Sequence, residues 1–299
     1  MAYSFKQLDP RDISSEHNAK IFGLGKVYGI EVTVPELAEK CVVNLDHHGP
    51  GSTSDVPSAV EQAMTCPLPE DGSILATIRP DADSVGAMAV LNARLAGEAI
   101  NATLVMALGL INRKRPKEVK GYEAYKPECV AIGRMSANFK LELEARVQWV
   151  QGVLTGHFNK KEVEALMAAR NAEYAAAWAA SQVRLTPDGK VAVVISSHRF
   201  AIAIGYEAAD IVIALNERMP VNPRDATQGT YIKYTVARCD SRVPFAIQAA
   251  MAELNEREAS RRRDGLRWGG QENIIGSPQG ASSTLTLDEV IAIVEANVS

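Results

Sequence analysis

The chain of 299 residues has no long apolar run, no paired cysteines and no excess of basic residues. No stretch approaches about 18 uninterrupted apolar residues, which excludes a membrane-spanning helix. The first residues show no charged segment followed by an apolar one, so we expect no secretory signal and a cytoplasmic location. The cysteines lack a C-x-x-C pair, which excludes a zinc ribbon and favours buried, reduced thiols; they are Cys41, Cys66, Cys129 and Cys239.

The charge balance restricts the class of partner. Lys and Arg number 32 against 36 Asp and Glu, and the net charge is -4. A chain with this balance has no overall field that would hold a long polyanion, so a stable nucleic-acid partner is disfavoured. A local basic pocket for a small phosphorylated ligand is still allowed. The hydrophobic fraction of 46% predicts a globular protein with a buried core.

Short β-rich runs alternate with amphipathic segments through the first half of the chain. Such alternation predicts an α/β fold with a parallel sheet and crossover helices. The predicted strands span residues 27–34, 41–45, 73–78 and 102–108, and the predicted helices span residues 57–64 and 84–95. Ligands of such sheets bind at the carboxyl ends of the strands, so polar residues at those ends become candidates for a site.

The second half begins with a helical stretch and ends in a smaller α/β segment. Residues 136–182 are rich in Ala, Glu and Leu, which favours helices. Beyond them we predict strands at residues 191–195, 211–215 and 231–237, and helices at residues 245–257 and from Leu287 onward. We therefore predict a parallel-sheet domain with flanking helices over residues 1–150, a helical connector over residues 151–185, and a smaller mixed-sheet α/β domain over residues 186–299.

Asp46, His47 and His48 directly follow one of the predicted buried strands. Two adjacent histidines beside a carboxylate offer nitrogen and oxygen ligands that suit Mn, Zn or Fe. A chance pair of surface histidines is the alternative, and the triplet by itself does not decide between the two. The case for a metal site therefore depends on further ligands at neighbouring strand ends.

Asp81 and Asp83 follow a second predicted strand, with Arg79 just before them. Two carboxylates one residue apart at a strand end can bind different metal ions, or bridge a pair roughly 3.5–4 Å apart. The alternative is that one of them caps the following helix by accepting hydrogen bonds from its first amides. The presence of both aspartates favours a metal-binding role.

A glycine-rich segment near the carboxyl terminus is dense in amides and hydroxyls, as an anion-binding loop would be. An ordinary turn is the alternative, and no Gly-Lys-Ser/Thr sequence follows that would make it a Walker A loop. Arg238 precedes it at the end of a predicted strand, and the planar guanidinium of arginine suits phosphate oxygens. The segment includes Gly269, Gly270, Gln271, Gly276, Ser277, Gln279 and Gly280.

These motifs resemble those of the DHH phosphoesterases, a family that includes oligoribonucleases, pAp phosphatases and cyclic-dinucleotide phosphodiesterases. The run from Arg79 to Ala87 (RPDADSVGA) is similar to the first motif of that family, and Asp46-His47-His48 is similar to the triplet that names it. The strand that ends at Arg238 and the glycine-rich segment resemble the DHH-associated C-terminal domain, which binds the phosphate or nucleotide end of the substrate.

The resemblance implies metal-dependent hydrolysis of a phosphoester in a small nucleotide or short oligonucleotide. One or two divalent ions, Mn²⁺ in the first place with Mg²⁺ or Zn²⁺ as alternatives, would be held by Asp46, His47, His48, Asp81 and Asp83. Asp46 and His48 are the predicted catalytic residues, with His48 as the acid for the leaving group. A homodimer is also possible. The predicted substrate-binding residues are Arg79, Arg238, Gly269, Gly270, Gln271, Gly276, Ser277, Gln279 and Gly280.

The sequence also departs from the pattern of that family. The two acidic motifs occur in reversed order, and Thr77 stands where the family usually has a histidine. No aspartate occurs between Asp83 and Asp188, and Gln271 stands where a histidine commonly follows the glycines. These departures keep a second hypothesis open, in which the protein binds a nucleotide or a metal ion on the same fold without hydrolysing a substrate.

Overall fold

The computed structural model describes residues 3–48, 55–113, 123–222, 226–239 and 241–299. Contacts within the chain divide it into two compact units, Met1–Arg170 and Asn171–Ser299, which we call unit 1 and unit 2. Each unit packs helices on its own sheet, so the prediction of an α/β fold is confirmed. Among the described helices, none combines the length and the apolar content that crossing a lipid bilayer requires.

The elements of unit 1 alternate between strands and helices at first and are helical afterwards. The final helix in this series contains the division between the two units. In chain order the elements are β1 (Ser4–Gln7), α1 (Glu16–Gly23), β2 (Val27–Ile30), α2 (Pro35–Ala38), β3 (Asn44–Leu45), α3 (Ala59–Gln62), β4 (Ile74–Thr77), α4 (Ala82–Leu95), α5 (Ala102–Arg113), α6 (Lys126–Ser136), α7 (Leu143–Thr155) and α8 (Lys160–Ala180).

The sheet of unit 1 is parallel and has the strand order β1-β4-β2-β3. Every residue of β4 is buried, as expected for an inner strand of a parallel sheet that is covered on both faces. The predicted strands at residues 27–34, 41–45 and 73–78 each contain one of these strands. The apolar pattern does not reveal β1, because its sequence SFKQ is largely polar. Since the strands are parallel, their carboxyl ends lie along one edge of the sheet.

The predicted strand at residues 102–108 is wrong, because this segment belongs to helix α5. Its buried residues include Leu104, Val105 and Leu108, a spacing that lines one face of a helix. Asn101 caps the helix, since its side-chain oxygen accepts a hydrogen bond from the amide of Leu104 at 3.0 Å. A short apolar run fits a buried strand and a buried helix equally well, and here the cap and the packing decide for the helix.

Unit 2 is built on a sheet in the order β5-β6-β7-β8-β10-β9. The pairing of β6 with β7 is parallel and the others are antiparallel, so the predicted mixed sheet is confirmed. The last helix begins at Leu287 as predicted, behind a capping box of Thr286 and Glu289. The elements of unit 2 are β5 (Gln182–Leu185), β6 (Val191–Ile195), α9 (Ala201–Gly205), β7 (Ile211–Pro220), β8 (Thr230–Arg238), α10 (Ile247–Ala259), β9 (Gly269–Gln271), β10 (Ile274–Gly276) and α11 (Leu287–Ala296).

A buried carboxylate on α10 joins three segments of unit 2. Glu258 is fully buried and accepts hydrogen bonds from the indole of Trp268 at 3.2 Å, the hydroxyl of Ser283 at 2.7 Å and the amide of Thr284 at 2.8 Å. Arg262 forms an ion pair with the same carboxylate, with 3.2 Å between its Nη1 and Oε1 of Glu258. Because each oxygen has partners, the carboxylate stabilises the packing of the loop before α11 instead of costing stability.

We expect the change Glu258→Gln to lower the free energy of unfolding by about 2–4 kcal/mol, because an amide replaces an acceptor that serves several donors and pairs with a charge. Urea unfolding followed by circular dichroism measures the effect. Glu256→Gln, at an exposed position of the same helix, is the control and should change stability little. Equal stability of the two variants would contradict the structural role of Glu258.

Stability should also depend on pH through Glu258. Burial raises the pKa of this carboxyl group, but the hydrogen bonds from Ser283, Thr284 and Trp268 lower it more, so the pKa lies below its ordinary value. The stabilising contribution is therefore full above the unfolded pKa, about 4.3, and is lost as the pH falls through the lower folded pKa. We expect wild-type protein to lose more stability than Glu258→Gln between about pH 5 and about pH 3, as measured by urea unfolding.

Candidate metal centre

Polar side chains follow three neighbouring strands of the unit 1 sheet, at the point where each strand ends. Glu31 follows β2, Asp46-His47-His48 follows β3, and Asp81 and Asp83 follow β4. Since β4, β2 and β3 are adjacent and parallel, these side chains meet at the carboxyl edge of the sheet. The spatial order of the strands thus brings the two sequence motifs together. It also adds Glu31, which belongs to neither motif.

The two histidines share this edge with carboxylates from different strands. Nε2 of His47 lies 3.2 Å from Oε1 of Glu31 and 3.4 Å from Oδ2 of Asp83. Nδ1 of His48 lies 3.4 Å from the same oxygen of Glu31 and 2.9 Å from Oδ1 of Asp46. One ligand atom from each of Glu31, His47 and His48 can be chosen so that all three lie within 4.8 Å of one another.

Glu31 is a member of this cluster that lies in neither of the two sequence motifs. Its backbone has φ of 53°, and it is the only non-glycine residue with positive φ in the part of the chain that the structure describes. Such a conformation costs of order 1–3 kcal/mol and persists where the surroundings impose it. A signal was present in the sequence, because Glu31 is a lone charge within the apolar run of residues 27–34.

Backbone contacts hold Glu31 in this strained conformation. The amide of Glu31 donates to the carbonyl oxygen of Leu45 at 2.8 Å. The side chain of Asn44 bonds both backbone groups of Val32, accepting from the amide and donating to the carbonyl, each at 3.1 Å. Gly29 permits this approach, since a Cβ there would lie 2.6 Å from the Asn44 oxygen. The turn after β2 is therefore fastened to β3, and the carboxylate of Glu31 is directed towards the histidines.

The electrostatics of the cluster show charged groups that share a poorly hydrated space. Burial raises the pKa of Glu31 to about 8, the charges of Asp83 and Asp81 act in the same direction, and the hydrogen bond with His47 opposes them. Burial disfavours a charged His47, but hydrogen bonds with Asp83 and Glu31 outweigh it and raise its pKa to about 10. The protonated imidazole of His47 thus compensates carboxylates that would otherwise repel one another.

Asp46 joins this group through its contacts with His48. The ring of His48 and the amide of His48 both bond Oδ1 of Asp46 at 2.9 Å. The hydrogen bond with Asp46 raises the pKa of His48. Burial opposes ionisation of Asp46, yet the hydrogen bonds from His48 hold the pKa of Asp46 below its ordinary value. Gln62 of α3 fixes the backbone here by donating to the carbonyl oxygen of Asp46 at 3.0 Å.

Asp81 and Asp83 both have structural hydrogen bonds. Asp81 is the N-cap of α4, with Oδ1 accepting from the amides of Asp83 and Ser84 at 3.1 Å each. Asp83 is buried and accepts from the amides of Ala59 and Val60, at 3.0 and 2.8 Å, and so anchors α3. The capping alternative therefore describes Asp81, while Asp83 supports α3 and also contacts His47 through Oδ2.

Arg79 and Thr77 occupy the loop between β4 and α4. The side chain of Arg79 is exposed, whereas Thr77 is fully buried and accepts from the amide of Arg79 at 3.2 Å through its hydroxyl. Ser84 donates to the carbonyl oxygen of Arg79 at 2.9 Å. Thr77 thus shapes the turn that presents Asp81, in place of the histidine that the resembling family usually has.

The predicted substrate-binding residues of unit 2 lie in and beside the β9–β10 hairpin. Arg238 donates to Asn273 at 2.8 Å and to the carbonyl oxygens of Val243 and Phe245 at 3.2 and 3.3 Å, and it pairs with Glu272 at 3.5 Å. Its guanidinium therefore has a structural role in fastening the hairpin. A role in substrate binding stays a prediction.

The glycine-rich segment forms the hairpin itself and the turn after it. Gly270 has φ of 154°, and a Cβ there would lie 2.2 Å from the carbonyl oxygen of Ile274, so only glycine fits. Gly269 and Gln271 belong to exposed β9, and Gly276 ends β10. Ser277 is buried, and its hydroxyl accepts from the amide of Tyr234 at 3.0 Å. The remaining two residues of the prediction, Gln279 and Gly280, are exposed.

Comparison with known proteins provides no assignment beyond this geometry. No family model matches the chain, and a search of curated proteins finds no significant match. The function must therefore be argued from the side chains that the fold brings together.

The donor set at the carboxyl edge of unit 1 fits a divalent metal ion. Imidazole nitrogen and carboxylate oxygen are ligands that Mn²⁺, Zn²⁺ and Fe²⁺ accept. Glu31, His47 and His48 meet the geometric requirement, and Asp83 and Asp46 contact the two histidines. The left-handed backbone of Glu31 and the burial of its carboxyl group beside other carboxylates both lower the free energy of unfolding. A bound cation would offset this loss of stability.

We expect the change Glu31→Gln to preserve or raise the melting temperature in EDTA, because it removes an ionisable group whose charged form is disfavoured by burial and by the neighbouring carboxylates. With excess Mn²⁺ the wild-type protein should gain about 2.7 kcal/mol of stability at 100-fold the dissociation constant, while the variant should gain much less. Differential scanning fluorimetry with and without Mn²⁺ measures both effects. Glu36→Gln, at an exposed position of α2, serves as the control. A variant that is destabilised in EDTA yet still stabilised by Mn²⁺ would make Glu31 a structural residue.

Proposed function

We propose that this protein hydrolyses a phosphoester in a small nucleotide or short oligonucleotide with the help of a divalent metal ion. The observation that carries the proposal is the convergence of Glu31, His47 and His48 at the carboxyl ends of adjacent parallel strands. Membership of the DHH phosphoesterase family is part of this proposal. It is supported by the Asp46-His47-His48 and Asp81-x-Asp83 motifs, which meet in space despite their reversed order in the chain.

The residues of the cluster divide into holding and supporting roles. Glu31, His47 and His48 would hold the ion, which we expect to be Mn²⁺, with Mg²⁺ or Zn²⁺ as alternatives and a second ion as an option. Asp83, whose Oδ2 lies 3.4 Å from Nε2 of His47, would be a further oxygen ligand, and Asp81 would fix the start of α4 beside the site. When bound, such an ion activates water and neutralises charge on the phosphoryl oxygens.

Asp46 and His48 would handle the proton of the leaving group. Hydrolysis adds water to phosphorus and breaks the ester P–O bond, and the departing oxygen then needs a proton. His48 is partly exposed, with 31% of its side chain accessible, and Asp46 fixes the orientation of its ring through Nδ1. His48 can serve as this acid only when it does not bind the ion itself, so His48 is either a metal ligand or the acid.

Arg79 is the favoured contact for the phosphate of the substrate in unit 1. Its guanidinium is exposed, and the residue lies in the same loop as Asp81, between β4 and α4. Arg238 has structural hydrogen bonds that occupy its guanidinium, so we assign it second place. The net charge of -4 supports a small substrate over a long polyanion.

A second candidate function is binding of a metal ion or nucleotide without hydrolysis. The specific observation in its favour is that carboxylate oxygens of Asp81 and Asp83 accept hydrogen bonds from backbone amides. Fewer oxygens are then available for a second ion, so a two-ion site that would stabilise both the attacking and the leaving oxygen would be incomplete.

We expect wild-type protein with Mn²⁺ to release phosphate or mononucleotide from a panel of nucleoside bisphosphates, dinucleotides and cyclic dinucleotides. Glu31→Gln and His47→Ala should each lower the rate about 100-fold or more, because each removes a ligand of the ion. Product release is followed by chromatography and a phosphate assay, and metal content by elemental analysis. Glu70→Gln is the control, since Glu70 is exposed and pairs with Lys26 just before the opposite, amino ends of β4 and β2.

The outcomes separate the two functions. Stoichiometric Mn²⁺ that depends on Glu31 and His47, without turnover of any member of the panel, would favour the binding protein. Turnover that survives both substitutions would reject the site. Turnover and metal content lost together in both variants, and retained in Glu70→Gln, would support the hydrolase.

A further inference from the structure

An apolar cavity of about 180 Å³ opens beside β3, the edge strand of the unit 1 sheet. Three of the residues that line it, Val42, Val43 and Leu68, are 54%, 50% and 41% exposed, so they surround its mouth. Leu45 of β3 and Leu91 of α4 are buried and line the cavity from the side of the core. The cavity thus extends from the surface of unit 1 to its apolar core.

The loop between α3 and β4 forms one wall of the cavity and is fastened near both of its ends. Nη1 of Arg94 donates a hydrogen bond to the carbonyl oxygen of Cys66 at 2.9 Å. The hydroxyl of Tyr3 donates to the carbonyl oxygen of Pro69 at 2.9 Å. Pro67 and Pro69 also restrict the backbone, because their rings fix φ. Since the wall is held in this way, it does not collapse to close the cavity.

The lining of the cavity offers a ligand few polar contacts. Among the described residues that line it there is no Asp, Glu, Lys, Arg or His, and the polar side-chain groups are the hydroxyl of Tyr28 and the thiol of Cys66. Burial raises the pKa of the Cys66 thiol, so this group is uncharged at neutral pH. A charged ligand would lose its hydration here without gaining a partner. The lining therefore selects an uncharged, largely apolar ligand.

The volume of the cavity corresponds to one ring-sized group. Engineered cavities of about 150 Å³ with aliphatic and aromatic linings stay dry and bind benzene. The cavity beside β3 is slightly larger, at about 180 Å³. A water molecule needs about two to four polar partners to be held in such a space, and the lining offers few. Occupation by an apolar group is therefore favoured over occupation by ordered water.

Two other occupants, the adjoining chain and a second copy of the protein, fit the cavity less well. Residues 49–54, which follow the histidines, read GPGSTS and supply no apolar side chain except Pro50. A stable protein interface buries about 800 Å² on each partner. Among the described residues, the large apolar side chains exposed at the mouth are those of Val42, Val43 and Leu68. Three such side chains expose far less surface than a stable dimer needs.

We propose that the cavity beside β3 binds the apolar part of a small uncharged ligand, with the size of one aromatic or aliphatic ring. Leu45 and Leu91 would contact the ring from the side of the core, and Val43 and Leu68 would cover it at the mouth. The ring would remove the exposed parts of these side chains from water, which is the source of its affinity. Because the wall is already fastened, little free energy is lost in ordering it.

This site goes beyond the proposed hydrolysis and does not depend on it. Ile30 and Leu45 line the cavity and directly precede Glu31 and Asp46 in the chain. None of the lining residues that the structure describes belongs to the cluster of Glu31, His47 and His48. The two sites also select ligands of opposite chemistry, so the cavity can be tested in EDTA, where the metal centre is empty.

The test is isothermal titration of the full-length protein with toluene and with benzoate, both in EDTA. Toluene should bind with a dissociation constant of about 1 mM or below. Benzoate, the same ring with a charge, should bind at least about 10-fold more weakly. Methyl NMR locates the ligand. Toluene should shift the resonances of Val43, Leu45 and Leu68 and leave those of Leu24 unchanged, because Leu24 does not line the cavity.

Two variants at the mouth test the lining independently. Val43→Phe should weaken toluene binding about 10-fold or more, because a larger side chain takes up space in the cavity. Leu68→Gln should also weaken it, because a polar amide replaces an apolar contact. Both positions are partly exposed, so the melting temperatures should change little. Leu24→Phe, at an exposed position of unit 1 outside the cavity, is the control and should bind toluene as the wild type does.

The proposal is overturned by absent toluene binding up to the solubility limit, by benzoate binding as tightly as toluene, or by equal affinity of the wild type and both variants. Analytical ultracentrifugation tests the second copy as the occupant. A dimer that Val43→Phe dissociates would mean that another copy of the chain covers the cavity, and this result would also overturn the proposal. A monomer that binds toluene through these residues supports it.

Discussion

The carboxylate of Glu31 joins the ends of two strands and both histidines of the cluster. Its amide bonds the carbonyl of Leu45, and its side chain lies within 3.2–3.4 Å of His47 and His48. This arrangement requires a left-handed backbone at a non-glycine residue and a buried carboxyl group near Asp83. Folding alone would favour neither feature, and this is the reason for the proposal that the cluster binds an ion.

The buried ionisable side chains of the two units differ in how completely hydrogen bonds and opposite charges compensate them. Glu258 in unit 2 has donors for both oxygens and an arginine partner, which makes it a stabilising group. Glu31 shares its surroundings with other carboxylates and relies on histidines for compensation. A buried carboxylate whose oxygens all accept hydrogen bonds stabilises a fold, whereas the crowding of carboxyl groups around Glu31 motivates the proposal of a bound ion.

The sequence predicted most strands and helices because their signals are local. Short apolar, β-rich runs marked β2, β4, β6, β7 and β8. Residues 102–108 were assigned to a strand because a short apolar run does not distinguish a strand from a helix. β1 escaped detection because polar residues interrupt its apolar pattern. Register and strand order depend on contacts between distant segments, which local patterns do not contain.

By itself the sequence determined the α/β class and the two acidic motifs at strand ends, since periodicity and composition encode both. Only the tertiary structure placed Glu31 against His47 and His48, because this requires β2, β3 and β4 to be neighbours. It also separated the roles of Asp81 and Asp83, one capping its own helix and the other anchoring α3. Such roles depend on which amides and charges lie within hydrogen-bonding distance of each carboxylate. Only the folded chain determines those distances.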